Sequence, residues 1–486
     1  MGGAFKKPQP VYNLKGTVPG ALHKKLVDIA PSFPVKADSI RFLIEPKDFL
    51  EHILEGIKNA KKTIILSTLY LGTGPAEQQI INAITSALEE NPELRVTFLF
   101  DYLRGTRGGK EKSSLGMVLP LVIKHGDRVD ASFYHTPKLK GILKRLLPEA
   151  ANEVVGVHHM KIYIFDDDLT LTGANLSDWY FVDRQDRYVC IKAEQKLRDY
   201  FVNVVKVVNS FSYLLNKNGD LILPGKVGVP DGQIGSSDQY TPYDPVTEDK
   251  SFIRYAFDRV LPLMSNNASE SSFKDSDTWI YPMIQMGPAH VRHEEYVIDT
   301  ILSVCRYKLA KIHMSSPYFN ITDKLSGKIF NDTSADVHVL TASPSANGFF
   351  NAKNYFKHIP FGYNLLELDF YREILRRKQQ HRVKVFEYSR RGWTFHSKGM
   401  WIKDFNGKTR ATVIGSSNFS QRSADRDTEA QILISSNDRD LSQRMERDRR
   451  NNFDFAHQVD KYDLESIKRA PKVLVRLFVR RFRNYL

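Results

Sequence analysis

The chain has 486 residues, 42% hydrophobic and 26% charged, an ordinary globular balance at a length suited to two or three domains. That composition excludes extended disorder and collagen-like structure, and no run approaches the roughly 18 uninterrupted apolar residues of a spanning helix. Seventy Lys+Arg against 56 Asp+Glu give a net charge of +14, which favours polyanions, anionic lipids or phosphorylated small molecules. Two cysteines, Cys190 and Cys305, exclude a disulfide scaffold and a Cys-rich zinc site and point to a reducing compartment.

In chain order, Met1 to Val27 carries lysines and no acids, as an organelle presequence does. Arg is absent there, however, and Pro8, Pro10 and Pro19 would interrupt an amphipathic helix. The expectation is a trimmed presequence, with residues 1–34 as an N-terminal extension. Residues 35–215 form an expected first half. In it Phe49–Ala60 has helical periodicity and Lys62–Tyr70 reads as a buried strand. A helix around Gln78–Leu88 and strands at Arg95–Phe100 and Arg128–Tyr134 follow. Residues 216–275 are expected to be a connector or excursion, because Asn216–Lys250 is rich in Gly, Pro, Asp and Ser. The sequon at Asn267 reads as chance. Residues 276–450 form an expected second half, with helices at Tyr296–Leu309 and Asp323–Phe330. Its strands are Lys311–Tyr318, Asp336–Thr341 and Arg382–Tyr388. Strands alternating with helices predict an α/β protein with mixed, mostly parallel sheets covered on both faces. Residues 451–486 form an expected basic tail.

The halves repeat one another. The first carries His159-Met-Lys161-Ile-Tyr-Ile-Phe-Asp166, then Asn175, then Asp186; the second carries His396-Ser-Lys398, then Asn418, then Glu429. Each acid lies 11 positions after its asparagine, while the His-to-Asn distance grows from 16 to 22. A polar turn at Asp404–Lys408 accommodates the extra residues. Alternation places His and Lys of each block on one face of a strand. His158 then points to the opposite face, as a structural residue.

Two such sets suit phosphodiester cleavage without metal. One imidazole attacks phosphorus; the other protonates the departing oxygen and later deprotonates the incoming alcohol. Lys161, Lys398, Asn175 and Asn418 would hold the non-bridging oxygens, and Asp186 and Glu429 would orient the imidazoles. A lone strand histidine is usually a core or surface residue, but two matched sets are not expected by accident. A zinc site from His158, His159, His396 and the acids lacks clustered ligand spacing. No metal and no cofactor are expected.

With its His-x-Lys-x4-Asp block and the Asn turns, the chain resembles the phospholipase D superfamily, and within it the eukaryotic phosphatidylglycerophosphate synthases. The likeness extends to Leu69–Gly74, Asp101–Arg107, Asp183–Arg187, Tyr281–Gly287, Ser315–Asn320 and Ala342–Gly348, and covers roughly residues 35–440. It implies two phospholipase D-like halves related by a pseudo-two-fold axis around one active site. It implies as substrates CDP-diacylglycerol and glycerol 3-phosphate, a phosphatidyl-histidine intermediate, and a mitochondrial, peripheral inner-membrane location on the matrix side. By analogy His159 is the nucleophile and His396 the general acid/base, with Asp166 completing the first block. The second block has Lys403 at the matching place and Asp404 one position late.

Tyr70, Arg104 and Arg107 are candidate substrate-binding residues; both arginines follow a predicted strand C-terminus, and surface solvation is their alternative. Gly72–Gln79 lacks the Gly-Lys-Ser/Thr ending of an ATP-binding loop and reads as a tight strand-to-helix turn. After Pro471, Leu474, Leu477, Phe478, Phe482 and Tyr485 recur at helical spacing among Arg476, Arg480, Arg481 and Arg483. Such a helix can lie on an anionic membrane or pack on the domain. No nucleic-acid partner is expected, and the sequence selects no oligomeric state. The competing readings are another enzyme of the superfamily (phosphatidylserine synthase, cardiolipin synthase, a phospholipase or a nuclease) and a non-catalytic membrane or nucleic-acid binding module.

Overall fold

A computed structural model describes residues 17–139, 155–233, 235–265, 276–306, 310–352, 357–466, 476, 477, 479, 481 and 483. Each half is built on a nine-strand path, and the two paths run in parallel order. In the first, three parallel strands, Val129–Tyr134, Arg95–Asp101 and Thr63–Ser67, continue into antiparallel Ile162–Phe165, Asp168–Thr172, Tyr188–Lys192 and Ile40–Leu43. In the second, Val383–Tyr388, Asp336–Ala342 and Lys311–Ser315 are parallel. They continue into antiparallel Gly399–Lys403, Thr409–Gly415, Thr428–Ser436 and Thr278–Met286. The expectation of mostly parallel sheets is thus corrected. The β-α-β segments supply the parallel strands, while the strand after each His-x-Lys motif runs antiparallel to the central strand and continues into an antiparallel hairpin.

The polar turn expected at Asp404–Lys408 is present; Asp404 accepts from the backbone N–H groups of Asn406 and Lys408. The predicted helices occur as Pro46–Asn59, Pro75–Glu90, His293–Arg306 and Asp323–Asn331. One apolar core fills the outer face of each half. A third lies between the two sheets, where Ile162, Ile164, Leu171 and Val189 of the first half meet Ile280, Ile414, Ile432 and Ile434 of the second. Halves that share a core of this kind cannot expose it separately without losing the burial that holds each sheet.

The expected boundaries need correcting at three places. Residues 17–34 are no extension. The helix Val18–Leu26 places Val18, Leu22 and Leu26 in the second half's core, and Phe33–Pro34 pairs with Thr278–Met286. Pro19 lies in the first turn of that helix, where a missing N–H costs nothing. The connector carries a 12-residue helix, Asp249–Val260, whose Phe252, Ala256 and Val260 join the central core. The second half continues past 450. Ala456–Gln458 extends its sheet, and Leu464 of the helix Lys461–Glu465 is buried in its core.

Leu474, Phe478, Arg480 and Phe482 lie outside the described residues. Of their neighbours, Leu477 and Arg481 are exposed, whereas Val479 is buried in the second half's core. Arg483 donates to Asn320 Oδ1 (3.0 Å) and to the Ile321 carbonyl (2.9 Å), and pairs with Asp323 (2.8 Å). The tail is therefore anchored to the domain on one side, which corrects the picture of a segment resting on a membrane alone. Among the described residues no helix is long and apolar enough to cross a membrane.

One buried cation ties the halves together. Arg187 of the first half pairs with Asp448 (2.7 Å) on the second-half helix Arg439–Phe453. It also donates to the Val413 carbonyl (2.7 Å) and to Thr412 Oγ1 (2.7 Å), and stacks on Trp401. Gly399 permits this approach, since a Cβ there would meet Arg187 Nη1 at 2.0 Å. Arg187→Met strands Asp448 in an apolar interior. We expect a loss of about 3–5 kcal/mol, measured as the denaturant midpoint of the purified protein. An unchanged midpoint would refute the tie.

Candidate active site

The two His-x-Lys motifs sit just before their strands rather than within them: Ile162–Phe165 starts after Lys161, and Gly399–Lys403 after Lys398. What holds them is pairing across the halves. The Thr428 N–H donates to the Val157 carbonyl (3.0 Å) and the His159 N–H to the Thr428 carbonyl (2.9 Å). On the opposite side Thr394–Phe395 pairs with Arg184–Gln185, and the His396 N–H donates to the Gln185 carbonyl (2.8 Å). Each histidine thereby lies next to the acid of the other half.

The acids complete an exchange. His159 Nδ1 lies 3.0 and 2.8 Å from the two carboxylate oxygens of Glu429, and His396 Nδ1 lies 2.6 Å from Asp186 Oδ2. With Nδ1–H donated to a carboxylate, Nε2 keeps the reactive lone pair. Each lysine folds back on its own motif: Lys161 Nζ donates to the His159 carbonyl (2.6 Å) and Lys398 Nζ to the His396 carbonyl (2.7 Å). Gly173 makes room for this. A Cβ there would come within 2.6 Å of Asp186 Oδ1 and 2.8 Å of Lys398 Nζ. The second half's counterpart, Ser416, instead donates to Glu429 (2.5 Å).

All six groups are buried, and burial disfavours their charged forms. Desolvation, helped by the adjacent lysine, drives both imidazoles well below their ordinary value. It raises Asp186 to about 6 and Glu429 to about 7, and lowers Lys398 to about 8. His159 also acts electrostatically on His396, as does Lys398 on His159. The two motifs therefore share one site.

The remaining candidates divide. Asn175 is engaged on both sides, accepting from Thr68 Oγ1 (3.3 Å) and donating to the Tyr180 hydroxyl (3.0 Å). Among the described residues the buried Oδ1 of Asn418 has no hydrogen-bond partner, which leaves an acceptor open at this position. Tyr70 lies beneath the Arg104 guanidinium, 4.2 Å from the ring centre, and acts electrostatically on Tyr180, Arg184 and Tyr318. Arg107 follows in the next turn, half-buried. His158 is fully buried between Ser67 Oγ (2.9 Å) and Thr428 Oγ1 (3.1 Å), consistent with a structural role. At Gly72 and Gly74 a Cβ would collide with Glu77 and Asp178, which makes the loop a tight turn.

Asp166 is corrected. It lies at the opposite end of Ile162–Phe165 from His159, in the hairpin turn. There its carboxylate accepts from the backbone N–H groups of Lys61 (2.6 Å), Lys62 (2.8 Å) and Thr63 (2.8 Å). It fixes the start of the central strand and touches no imidazole. Asp404 caps the longer hairpin of the other half in its place.

Sequence reasoning missed Arg184, Tyr180 and Tyr318. Tyr180 meets the His396 ring edge-on at 5.0 Å, its hydroxyl 3.4 Å from Nε2. Tyr318 approaches the same ring at 5.9 Å, and Arg184 stacks on Tyr180 at 4.5 Å. The available signal was position: Arg184 stands two residues before Asp186, and Tyr318 matches Tyr70 of the first half. On the other flank, Arg422 pairs with Asp427 (3.2 Å) near His159.

Paired imidazoles, each with a lysine and an acid from the opposite half, at the seam of two like α/β halves, define a phospholipase D-like protein. Residues 53–205 and 308–451 match the family described as "Cardiolipin synthase, PLD-like domain". The mitochondrial CDP-diacylglycerol–glycerol-3-phosphate 3-phosphatidyltransferase of Gallus gallus is 35% identical, over 94% of this chain and 85% of that protein. The Saccharomyces cerevisiae protein of the same enzyme name is 32% identical, over 94% and 89%. A crystal structure of phosphatidylserine synthase from Haemophilus influenzae Rd KW20 shares the fold (TM-score 0.72, 22% identity, 95% of this chain and 97% of that one). The chain belongs to the phospholipase D-like CDP-diacylglycerol–glycerol-3-phosphate 3-phosphatidyltransferase family.

Two outcomes separate positions near the chemistry from positions that only hold the strand. Asp166→Asn weakens three charge-assisted bonds; it should cost about 1–3 kcal/mol in chemical denaturation while the pH profile of turnover keeps its shape. For the unsubstituted protein, kcat/KM should rise from pH 6 to 7 as Asp186 and Glu429 ionise to accept Nδ1–H. It should fall as pH climbs through about 8, where Lys398 loses its charge. A profile flat from pH 6 to 9 would contradict this assignment.

Proposed function

We propose that this protein transfers the phosphatidyl group from CDP-diacylglycerol to sn-glycerol 3-phosphate, giving phosphatidylglycerophosphate and CMP, in phosphatidylglycerol and cardiolipin biosynthesis. The observation that carries the proposal is the exchange of acids between two His-x-Lys motifs, in a chain of a family whose relatives bear that enzyme name.

Burial keeps His159 neutral, so its Nε2 lone pair is free to attack the phosphatidyl phosphorus. A P–N bond forms as the P–O bond to the CMP phosphate breaks, with both electrons of that bond leaving on oxygen. A phosphate monoester has its second pKa near ~6, so this oxygen departs without needing a proton. The second step differs. An alcohol must lose its proton to attack, and the neutral His396, its imidazole held by Asp186, can accept it at Nε2 while the P–N bond breaks and returns its electrons to His159. Lys161 and Lys398 are placed to steady the non-bridging oxygens.

The donor's lipid nature, the +14 net charge and the exposed Leu477 and Arg481 beside the anchored tail support contact with an anionic membrane surface. The mitochondrial label of the Gallus gallus relative supports a mitochondrial location; a peripheral position at the inner membrane on the matrix side is part of the proposal.

Purified protein given CDP-diacylglycerol and labelled glycerol 3-phosphate should release CMP and label lipid in equal amounts. His159→Ala should lower turnover by about 10⁴-fold or more with unchanged thermal unfolding. With CDP-diacylglycerol labelled in its acyl chains instead, His396→Ala should accumulate protein carrying the phosphatidyl label after a quench in alkaline denaturant, where a phosphohistidine bond survives. Transfer to serine or water but not to glycerol 3-phosphate would defeat the reading, as would full activity of His159→Ala.

A further inference from the structure

The two flanks of the site are built on equivalent positions with opposite chemistry. Arg184 stands two residues before Asp186, and Asp427 two residues before Glu429; Tyr180 stands five after Asn175, and Ser423 five after Asn418. On the His159 flank the acid is already neutralised. Asp427 pairs with Arg422 (3.2 Å) and accepts from the Val157 N–H (3.1 Å). On the His396 flank Arg184 gives its Nε–H to Thr394 Oγ1 (3.0 Å) and lies over the Tyr180 ring at 4.5 Å. Among the described residues it forms no ion pair with a carboxylate. Its charge reaches His396, whose imidazole it helps keep unprotonated.

Gly348 faces this guanidinium, at ordinary van der Waals distance for a side chain. A Cβ at Gly348 would lie 3.5 Å from Arg184 Nη2 and 3.6 Å from the Tyr318 hydroxyl. Burial raises the pKa of both Tyr180 and Tyr318, so both phenols remain hydrogen-bond donors. A half-buried cation that among the described residues pairs with no carboxylate, with two phenolic hydroxyls beside it, fits a phosphate monoester. It would not reward a neutral acceptor.

We infer that Arg184, with the hydroxyls of Tyr180 and Tyr318, is the subsite for the phosphate of the acceptor alcohol, and so selects a phosphorylated acceptor over an uncharged one. This rests on the proposed transfer reaction and on His396 as its base. An alcohol whose phosphate is held by Arg184 presents its free hydroxyl toward His396 Nε2, since Tyr180 bridges the two groups. No new bond is made at the subsite; it places the nucleophilic oxygen. On the other flank Asp427 already holds Arg422, so the acceptor's approach is assigned to one side of a nearly symmetric site.

The test compares glycerol 3-phosphate with glycerol as acceptors for the full chain supplied with CDP-diacylglycerol in mixed micelles. In Arg184→Gln the ratio of kcat/KM for glycerol 3-phosphate to that for glycerol should fall by about 10–100-fold, the range expected for loss of a charged hydrogen bond. The loss should appear mainly in KM for glycerol 3-phosphate, and Arg184→Lys should recover part of it. Tyr318→Phe, which keeps the ring, should lower the same ratio by about 3–10-fold; it serves if Arg184→Gln does not fold. A ratio unchanged in the folded variants, or an equal loss with both acceptors, would overturn the inference. Failure of the unsubstituted protein to transfer to glycerol 3-phosphate would overturn the underlying reaction instead.

Discussion

Backbone pairing between the halves is the constraint on which the site depends. Two short parallel contacts, Val157–His159 with Thr428 and Thr394–His396 with the segment before Asp186, bring each imidazole to the carboxylate of the opposite half. Neither half contains a complete His–acid unit. Separating them would expose the shared apolar core and leave both histidines without the groups that set their tautomers. Arg187 reinforces the seam, because a buried guanidinium requires Asp448 from the other half.

The same burial decides the protonation states. In a dry cluster the neutral imidazoles are favoured, and they are the forms useful to both steps. A nucleophile needs its lone pair, and a base facing an alcohol needs to be unprotonated. Phosphate is a good enough leaving group that the missing proton is not limiting. The proposed chemistry is thus matched to a departing phosphate rather than to a departing alkoxide.

Duplication gives the site its symmetry, and single substitutions remove it. Gly173 corresponds to Ser416, Tyr180 to Ser423, and Arg184 to Asp427. These changes leave the histidines, lysines and acids equivalent while giving one flank aromatic rings and a guanidinium stacked on Tyr180, and the other a closed ion pair. Functional asymmetry arises here at the periphery of a conserved geometry.

Much of this was legible in one dimension. The repeated His-x-Lys, Asn and acid spacing disclosed two halves and one site, since chemistry that needs two imidazoles leaves two marks at fixed intervals. Buried strand runs and helical periodicity located most elements because each reflects local burial. The mostly parallel sheet did not survive, because pairing direction depends on how the chain returns after Lys161 and Lys398. The role of Asp166 was misjudged for a similar reason, since its partners, the N–H groups of residues 61–63, lie about a hundred positions away. The sequence by itself determined that a histidine, a lysine, an asparagine and an acid recur in the same order in both halves. Only the tertiary structure decided which acid serves which histidine, that residues 17–34 belong to the second half, and that Arg184 rather than a nearer-seeming candidate stands beside His396. Those facts depend on contacts between segments far apart in the chain, and periodicity carries no record of them.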